Sequence, residues 1–468
     1  MDVELEATSR RITFGGSGPA QAPGPAPAVT LSRGATIRIA SLAADGPLER
    51  LARQAALVAG TELAVSLRAD RPLPFGDHAA ALRDASAEAL LVQPGNGPAD
   101  QLVDLVEAFR AGCPDQHPAP RVLLAGGGAV RARAALGEHA VETLPDLRSP
   151  EGQAALRDRL REMRRGSSRP GIVLRDEAVE RAALTLARER GTDVVVLDSS
   201  GRSTSIVHAT PGGTLTAVHE LGLGSGSGSD RVVARAGLDR VRRWIPWPVD
   251  APSLLERVFN RTRWPDAVPV TPLALALEVA LAHEAVAQSI AQAAECGIAV
   301  ERFSRAPAVF LVGRVALLPR PAQSLLIAVD ALEPRAVTTV FRERAEALLA
   351  QAALDLAGQG EAAELTEQQE VLALVVPVTS RRRASVRFVA ASERSDERVL
   401  PGAFYVVPRT GPIDVSSSAG GIRGRGMAGG MGVVIDARGR PVPMPQRDAE
   451  RIPLVARWYG AVGALAQA

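Results

Sequence analysis

The feature that most constrains the fold is a run at residues 193–208, which reads DVVVLDSSGRSTSIVH. An apolar stretch ends in Asp198, a small polar turn of serine and glycine follows, and Thr204 leads a second strand-like stretch. Two such stretches joined by a short glycine-containing turn are typical of a β-hairpin. We therefore expect Asp198 at the end of a strand whose hairpin partner covers residues 203–209.

The same hairpin carries residue types that can hold phosphate. Asp198 would supply a carboxylate for a metal-bound water, Gly201 would let phosphate approach backbone N–H groups, and Thr204 would add a hydroxyl donor. Asp, Ser and Gly are also ordinary turn formers, so a plain hairpin turn is the competing interpretation. The sequence thus gives a candidate phosphate site with Asp198 as its candidate metal ligand.

Composition excludes several kinds of chemistry. The chain has 468 residues, and all 54 of its Lys and Arg residues are arginine. A P-loop lysine, a Schiff-base lysine and a lysine general base are therefore excluded. The formal net charge of +2 is too small to argue for a nucleic-acid partner. The length and the hydrophobic content of 46% are those of a globular protein with two or more domains.

Cysteines and apolar segments bear on where such a chain works. Cys113 and Cys296 lack a metal-ligand spacing, and a reducing compartment is the simplest interpretation. The sequence contains no uncharged apolar stretch of about 18 residues, so we expect no membrane span. The first residues, MDVELE, do not resemble a signal peptide. We expect a cytoplasmic protein.

Changes of pattern divide the chain into four parts. Residues 1–30 are predicted to form an N-terminal arm, because the segment 15–30 is rich in Gly and Pro and typical of a flexible tether. Residues 31–170 and 171–369 alternate strand and helix patterns and are predicted to form two α/β lobes. Residues 370–468 are predicted to form a β-rich unit and a C-terminal helix.

Some finer predictions follow from local patterns. Thr271 and Pro272 predict a helix start, with the threonine as N-cap. Residues 309–312 and 324–330 are apolar runs that we interpret as buried strands. The chain is then predicted to be helical to about residue 369. Residues 1–14 alternate apolar and polar side chains, and they could add as a strand to a partner's sheet or to a sheet of the protein itself.

Other candidate motifs have simple competing interpretations. Gly126-Gly127-Gly128 follows a strand and could lie beside a ligand, but such a triplet more often just ends a strand. The loop Gly222-Leu223-Gly224-Ser225-Gly226-Ser227-Gly228 could wrap a phosphate or simply be flexible. His208 and His219 could join Asp198 in a metal site, although the spacing fits no standard pattern. His283-Glu284 lacks the second histidine of a zinc-protease helix.

Five stretches in order resemble the glutamate mutase L family, the accessory proteins of methylaspartate mutase. They are VVVLDSSGRST at 194–204, AGLDRVRRW at 236–244, TPLALALEVALAHEA at 271–285, PRPAQSLLIAVDALEP at 319–334 and GGMGVVIDARGRP at 429–441. The resemblance implies an actin-like ATPase fold, in which two RNase H-like lobes enclose a nucleotide cleft. It also implies ATP and Mg²⁺ as ligands and a coenzyme-B12-dependent mutase as a protein partner.

The resemblance further implies which residues would contact the nucleotide. The candidates are Asp198, Gly201, Thr204, Gly222, Gly224 and Gly313. No nucleic-acid contact and no membrane span are implied.

The chain departs from the family pattern in three places. A first phosphate hairpin of the form Asp-x-Gly-x-x-x-Thr is not visible before Thr36, and Ser200 stands where the second hairpin has its first glycine. The adenosine loop reads Gly313-Arg314-Val315-Ala316, which puts bulk where base and ribose lie. Since such an ATPase clamps metal and phosphates with both hairpins, we expect a non-catalytic accessory or scaffold protein. The alternative is a working nucleotide-dependent accessory factor.

Overall fold

The computed structural model describes residues 4–7, 10–14, 29–32, 34–71, 73–95, 99–113, 119–126, 130–137, 139–166, 172–358, 369–379, 383–390, 393–418 and 421–465. The chain is a mixed α/β protein whose described strands form four sheets. Most of the predicted tether at 15–30 lies outside the described residues, as do the second and third glycines of the triplet at 126–128.

The strands are numbered in chain order. They are β1 (Glu4–Ala7), β2 (Arg10–Phe14), β3 (Val29–Ser32), β4 (Arg38–Ala43), β5 (Glu62–Arg68), β6 (Ala89–Gln93), β7 (Arg121–Ala125), β8 (Val141–Leu144), β9 (Ile172–Leu174), β10 (Val194–Ser199), β11 (Ser203–Ala209), β12 (Leu215–Leu221), β13 (Ala308–Val312), β14 (Thr338–Arg342), β15 (Glu370–Pro377), β16 (Ala384–Ala390), β17 (Glu393–Val399), β18 (Phe404–Val407), β19 (Gly411–Ser417), β20 (Arg423–Ala428) and β21 (Val433–Asp436).

The helices are numbered in the same way. They are α1 (Gly46–Ala59), α2 (Phe75–Ala85), α3 (Ala99–Gly112), α4 (Val130–Leu136), α5 (Pro150–Arg165), α6 (Arg175–Arg190), α7 (Ser229–Ala236), α8 (Leu238–Arg242), α9 (Ala251–Arg263), α10 (Pro272–Glu295), α11 (Glu301–Arg305), α12 (Pro321–Leu332), α13 (Ala347–Leu356) and α14 (Asp448–Ala461), with a 3-10 turn at Gly313–Leu317.

An N-terminal sheet contains strands that are far apart in the sequence. Its order is β1-β2-β3-β9, and β3 pairs in parallel with β9. Because β3 ends at Ser32 and β9 begins at Ile172, everything between them is an insertion between two neighbouring strands. The N-terminal strands thus belong to a sheet of the protein itself, which is the second of the two alternatives left open by the sequence.

The inserted segment is a parallel α/β domain. Its sheet has the order β5-β4-β6-β7-β8, and every pair of neighbours is parallel. Helices α2, α3 and α4 pack on one face, whereas α1 and α5 pack on the other. Local sequence explains both ends of α1. The Asp45 side chain caps its start by accepting a hydrogen bond from the Leu48 N–H at 2.9 Å. Gly60 ends the helix in the left-handed conformation.

An eight-stranded sheet forms the centre of the second half. Its order is β12-β11-β10-β13-β14-β15-β21-β18. The strands β10, β13 and β14 are parallel, and β11 runs antiparallel between β10 and β12. Helices α6 and α13 cover one face, and α10 and α12 cover the other. The near-continuous apolar strands follow from this burial on both faces.

The predicted β-rich unit is only partly separate. Strands β16, β17, β19 and β20 form a four-stranded antiparallel sheet. This sheet packs on the end of the eight-stranded sheet and shares an apolar core with β15 and β21. The three remaining strands of the region, β15, β18 and β21, continue the eight-stranded sheet itself.

Three sequence-based expectations need correction. The parallel order of the inserted domain is not that of an RNase H-like lobe, so the first half is not the first lobe of the expected fold. Residues 324–330 lie in α12 rather than in a strand, and β14 interrupts the predicted helical stretch. A short apolar run does not distinguish a buried helix from a buried strand.

The longest helix, α10, begins where the sequence predicts. The Thr271 side chain accepts a hydrogen bond from the Ala274 N–H at 3.2 Å, which satisfies one of the free donors at the helix start. By length and composition this helix could also cross a membrane. However, 67% of its most apolar window is buried inside the protein, as in a core helix.

Candidate nucleotide site

The predicted hairpin is present, and its second strand has the predicted bounds. Strand β10 carries Asp198 near its end, and β11 starts at Ser203. Ser199 pairs with Thr204 across the ladder, and the Ser200 N–H donates to the Ser203 carbonyl at 2.8 Å to close the turn. The prediction for this strand–turn–strand unit is therefore confirmed.

Asp198 is paired with an arginine. Its side chain is 3% exposed, and Arg175 donates to both of its oxygens, at 2.7 Å from Nε and 3.0 Å from Nη2. This is the two-pronged geometry that guanidinium and carboxylate groups favour. Each oxygen of Asp198 thus accepts one N–H from a fixed cation, which lies where a metal ion or its bound water would approach the carboxylate.

Arg175 also binds a second carboxylate. Its Nη1 and Nη2 atoms donate to Glu346 at 2.9 and 3.0 Å. Burial alone would lower the pKa of Arg175, but the charges of Asp198 and Glu346 outweigh it and raise that pKa above its ordinary value. The arginine therefore stays charged, with one carboxylate on either side of it.

Gly313 leaves room for this ion pair. It follows the last residue of β13, which lies beside Asp198 in the sheet. Its φ is +67°, and a Cβ at this position would collide with Oδ1 of Asp198 and lie 3.1 Å from Nη2 of Arg175. The glycine is thus required by close approach as well as by backbone conformation.

The glycine-rich loop at 222–228 packs on the hairpin turn. The Gly226 and Gly228 N–H groups donate to the Gly201 carbonyl at 2.9 and 3.0 Å, and the Gly222 N–H donates to the Arg202 carbonyl at 2.8 Å. A Cβ on Gly224 would lie 2.6 Å from the Arg202 nitrogen. The glycines allow backbone to approach backbone, and these three N–H donors are used inside the protein.

Thr204 is also engaged. Its hydroxyl donates to the Leu223 carbonyl at 3.0 Å and lies 3.2 Å from the Ser199 hydroxyl. The threonine thus ties β11 to the glycine-rich loop.

Arg314 covers the backbone of Gly201. Its Nη1 atom lies 3.1 Å from the place where a Gly201 Cβ would be. Glu278 on α10 holds this arginine through Nε at 2.8 Å and also accepts from the Ser225 hydroxyl at 2.6 Å. A buried carboxylate therefore fixes the guanidinium over the turn.

Little free volume remains beside Asp198. The cavity at this point has a volume of about 10 Å³, which is about the space of one water molecule. Sites for small molecules have volumes of roughly 300 to 1,000 Å³.

The histidines near the hairpin make pairs with acids. His208 Nε2 lies 3.2 Å from Asp193 Oδ2, and His219 Nε2 lies 3.1 Å from Glu180 Oε1. Burial lowers the pKa of His208, and the charge of Asp193 offsets this only in part. Within the described part of the chain, no group of three His, Cys, Asp or Glu side chains is arranged to hold a metal ion.

Sequence reasoning brought together some of these residues and missed others. Asp198, Gly201, Thr204, Gly222, Gly224 and Gly313 do lie in one cluster around the hairpin turn. Arg175, Glu346 and Glu278 were not anticipated. One signal was available for Arg175, because a carboxylate at the end of a fully apolar strand needs a cation or a metal to offset its burial.

Comparisons with known proteins give no family. No family model matches the chain, and no curated protein sequence matches it. The resemblance to glutamate mutase L proteins therefore stays a prediction.

Solved structures with a slight likeness to this chain include an activator of one dehydratase and a component of another. One is the activator of the 2-hydroxyisocaproyl-CoA dehydratase from Clostridium difficile with bound ADPNP, at 10% identity over 57% of this chain and 84% of that chain, with a TM-score of 0.21. The other is component A of the (R)-2-hydroxyglutaryl-CoA dehydratase of Acidaminococcus fermentans, at 10% identity over 57% of this chain and 87% of that chain, with a TM-score of 0.20. TM-scores this low carry no argument about fold or function.

Proposed function

We propose that this chain is an actin-like pseudo-ATPase that works as an accessory or scaffold protein without turning over ATP. The observation that carries the proposal is the pairing of Arg175 with both oxygens of Asp198 and with Glu346. A magnesium-bound water needs free carboxylate oxygens. Here the guanidinium group of Arg175 contacts these oxygens in place of a magnesium ion and its bound water.

The order of strands in the large sheet supports the actin-like part of the proposal for one of the two lobes. The five strands from β10 to β14 lie in the order third, second, first, fourth, fifth, and only the second is antiparallel to the rest. This is the strand order of an RNase H-like domain, the unit from which actin-like lobes are built. The hairpin of β10 and β11 is also where such a lobe carries its phosphate contacts.

Two further features support the loss of catalysis. Arg314 covers Gly201 and is fixed by Glu278, so its side chain fills the space through which a phosphate would approach the backbone of the turn. The first phosphate hairpin is not visible in the sequence before Thr36, and an ATPase of this kind uses two hairpins to clamp its nucleotide.

A second candidate function is a nucleotide-dependent accessory factor for a coenzyme-B12-dependent mutase, with ATP and Mg²⁺ as ligands. The observation in its favour is that Asp198, Gly201 and Thr204 keep the relative positions of a phosphate hairpin. In that case Arg175 and Arg314 would have to leave the site when nucleotide enters.

An ATPase assay separates the two candidates. Purified full-length protein is incubated with millimolar ATP and Mg²⁺ beside Asp198→Ala and the matched control Asp239→Ala, which changes a surface carboxylate that is 94% exposed. We expect all three proteins to release phosphate at the rate of buffer alone. Magnesium-dependent hydrolysis that persists in Asp239→Ala and disappears in Asp198→Ala would refute the pseudo-ATPase and favour the second candidate, provided that both variants give wild-type circular dichroism spectra.

The accessory role implies a protein partner in the cytoplasm, and a B12-dependent mutase is the partner that the resemblance suggests. A fold that keeps its core while its ligand contacts are taken by internal side chains is retained for its surfaces, since function lies in sites on a fold rather than in the fold. No nucleic-acid partner is proposed, because the net charge is only +2.

A further inference from the structure

A second cavity contains no residue of the hairpin and has a volume of about 400 Å³. We call it the α8 cavity. Its floor is one face of α10, where His283, Ala287 and Ile290 follow one another at helical spacing. One wall is formed by α8 and the residues after it, and another wall by α11 and the end of α12.

Four of the five sequence stretches that carry the family resemblance meet at this cavity. The stretch 236–244 supplies Arg240, Arg243 and Trp244, and the stretch 271–285 supplies His283. The stretches 319–334 and 429–441 supply the end of α12 and Pro441. None of these residues takes part in the candidate nucleotide site.

His283 is buried without a hydrogen-bond partner among the described residues. Its side chain is 5% exposed, and neither ring nitrogen makes a hydrogen bond. The nearest carboxylate oxygen, Oε1 of Glu284, is 3.7 Å from Nδ1, which is too long for a hydrogen bond. This contact is electrostatic, and it helps to offset the effect of burial and to lower the pKa of Glu284. The ring packs against Trp244 with 4.0 Å between centroids. Leaving a buried polar group unsatisfied is costly, so such a group calls for a partner.

The wall formed by α8 carries an excess of positive charge. Glu284 is fully buried and binds both arginines of this wall, at 3.2 Å to Nε of Arg240 and 3.0 Å to Nη2 of Arg243. One carboxylate thus balances two guanidinium groups and leaves one positive charge. Arg240 is 48% exposed, so its guanidinium can reach a ligand that enters the cavity.

The wall formed by α11 and the end of α12 carries an excess of negative charge. Asp330 is neutralised by its ion pair with Arg438. Glu301, Glu333 and Arg335 also line this wall, and together they carry one negative charge. An anionic group in the cavity would therefore lie against α8 and away from α12.

The lining also includes apolar side chains. They are Ile290, Val300, Phe303, Leu332, Val442 and Met444. A pocket of this volume that combines apolar side chains with a few convergent polar groups can accept a small molecule.

We propose that the α8 cavity binds a small organic carboxylate with an apolar body. The carboxylate would accept hydrogen bonds from His283 and Arg240, and the body would lie along Ile290 and Phe303. This occupant supplies the partner that His283 lacks and the counter-charge that the α8 wall lacks.

Calorimetric titration of the full-length protein with phenylpropionate tests the proposal. Acetate serves as the probe without an apolar body, and phenylpropanol as the probe without charge. We expect phenylpropionate to bind with a Kd in the millimolar range or tighter. Acetate should bind about tenfold more weakly because it loses apolar burial. Phenylpropanol should also bind about tenfold more weakly, because it loses a charged hydrogen bond.

Two variants test whether phenylpropionate binds in this cavity. His283→Phe keeps a ring against Trp244 but removes both nitrogens, and Arg240→Gln removes a half-exposed charge. Both should weaken phenylpropionate about tenfold, whereas the matched control Arg257→Gln, at an exposed position on α9, should bind like wild type. His283→Phe should also unfold at an equal or higher temperature than wild type, since it removes an unsatisfied buried polar group.

Three results would overturn the proposal. They are no saturable binding of phenylpropionate at concentrations of about 10 mM, equal affinity for phenylpropanol, and unchanged binding in both His283→Phe and Arg240→Gln. Since none of these measurements involves ATP, their outcome is independent of the pseudo-ATPase proposal.

Discussion

Glu220 is a largely buried carboxylate, and its side chain is 14% exposed. Its charge is only partly compensated by neighbouring groups. It lies on β12, beside a cavity of about 400 Å³ between the inserted domain and the large sheet. Its Oε1 is 3.4 Å from Nη1 of Arg235, and its Oε2 has no hydrogen-bond partner among the described residues. Burial raises the pKa of Glu220 to about 7 from an ordinary value of 4.5, and the charge of Arg235 only reduces this effect.

We predict a pH-dependent contribution of Glu220 to stability. Between pH 4.5 and 7 the folded state holds this proton more tightly than the unfolded chain, so the free energy of unfolding falls as pH rises through the window. Relative to Glu220→Gln, the wild type should lose about 3 kcal/mol from pH 4.5 to pH 7. Urea unfolding at several pH values measures this difference.

The comparison between variants isolates Glu220 from other titrating groups. His208, whose pKa is lowered by burial, contributes with the opposite sign near the same pH and is present in both proteins. Glu256→Gln changes an exposed glutamate on α9 and should leave the pH profile of the wild type unchanged. A Glu220→Gln profile that runs parallel to the wild type would refute the raised pKa.

The sequence predicts which residues of the hairpin form the candidate site, but it does not predict the side chains that contact them. Asp198, Gly201 and Thr204 follow from the order of residue types in one short run. Arg175 and Glu346 are 171 positions apart, and only the tertiary structure brings them to Asp198. A local pattern gives the type of a side chain and its place on a strand, but it does not give the charge that neutralises it.

The glycine-rich loop is a structural element with a testable role. Because a Cβ on Gly224 would collide with the Ser200 carbonyl and lie 2.6 Å from the Arg202 nitrogen, Gly224→Ala has to push the loop away from the hairpin turn. We predict a loss of about 1 to 3 kcal/mol in the free energy of unfolding. Chemical denaturation of the purified variant measures it.

Gly460 provides the control for this substitution. It lies in α14, and a Cβ there would meet no atom within 4 Å. Gly460→Ala should leave stability unchanged or raise it by up to about 1 kcal/mol, because alanine favours helix more than glycine does. Equal stability of Gly224→Ala and wild type would show that the loop is a loose connection rather than a cover for the turn.

Elements with strong local signals could be predicted from sequence. The hairpin of β10 and β11 and the start of α10 are such cases, because turn and capping residues mark their ends. The pattern of helix α12 predicts a strand, since its run of buried apolar residues has no polar face and therefore shows no helical period of 3.6 residues. Strand β14 lies between two helices, in a stretch whose pattern predicts helix throughout.

In the whole molecule, the arrangement of the domains differs from the order in which the sequence presents them. The sequence suggests a first lobe followed by a second. In the structure, a parallel domain is inserted between β3 and β9, which are neighbours in one sheet. Buried ion pairs then join this domain to the large sheet, as Arg161 on α5 binds Glu180 on α6 at 2.6 Å. Strand pairing over such a distance leaves no local signal in the sequence.

We propose that internal arginines occupy the position of the nucleotide and its metal. Isothermal titration calorimetry of the full-length protein with ATP and Mg²⁺ is the most direct test, because it detects binding whether or not hydrolysis follows. We predict no saturable heat at ATP concentrations up to about 1 mM. Magnesium-dependent binding with a Kd below about 100 μM would contradict this prediction, since Arg175 and Arg314 would then have to give way to the nucleotide.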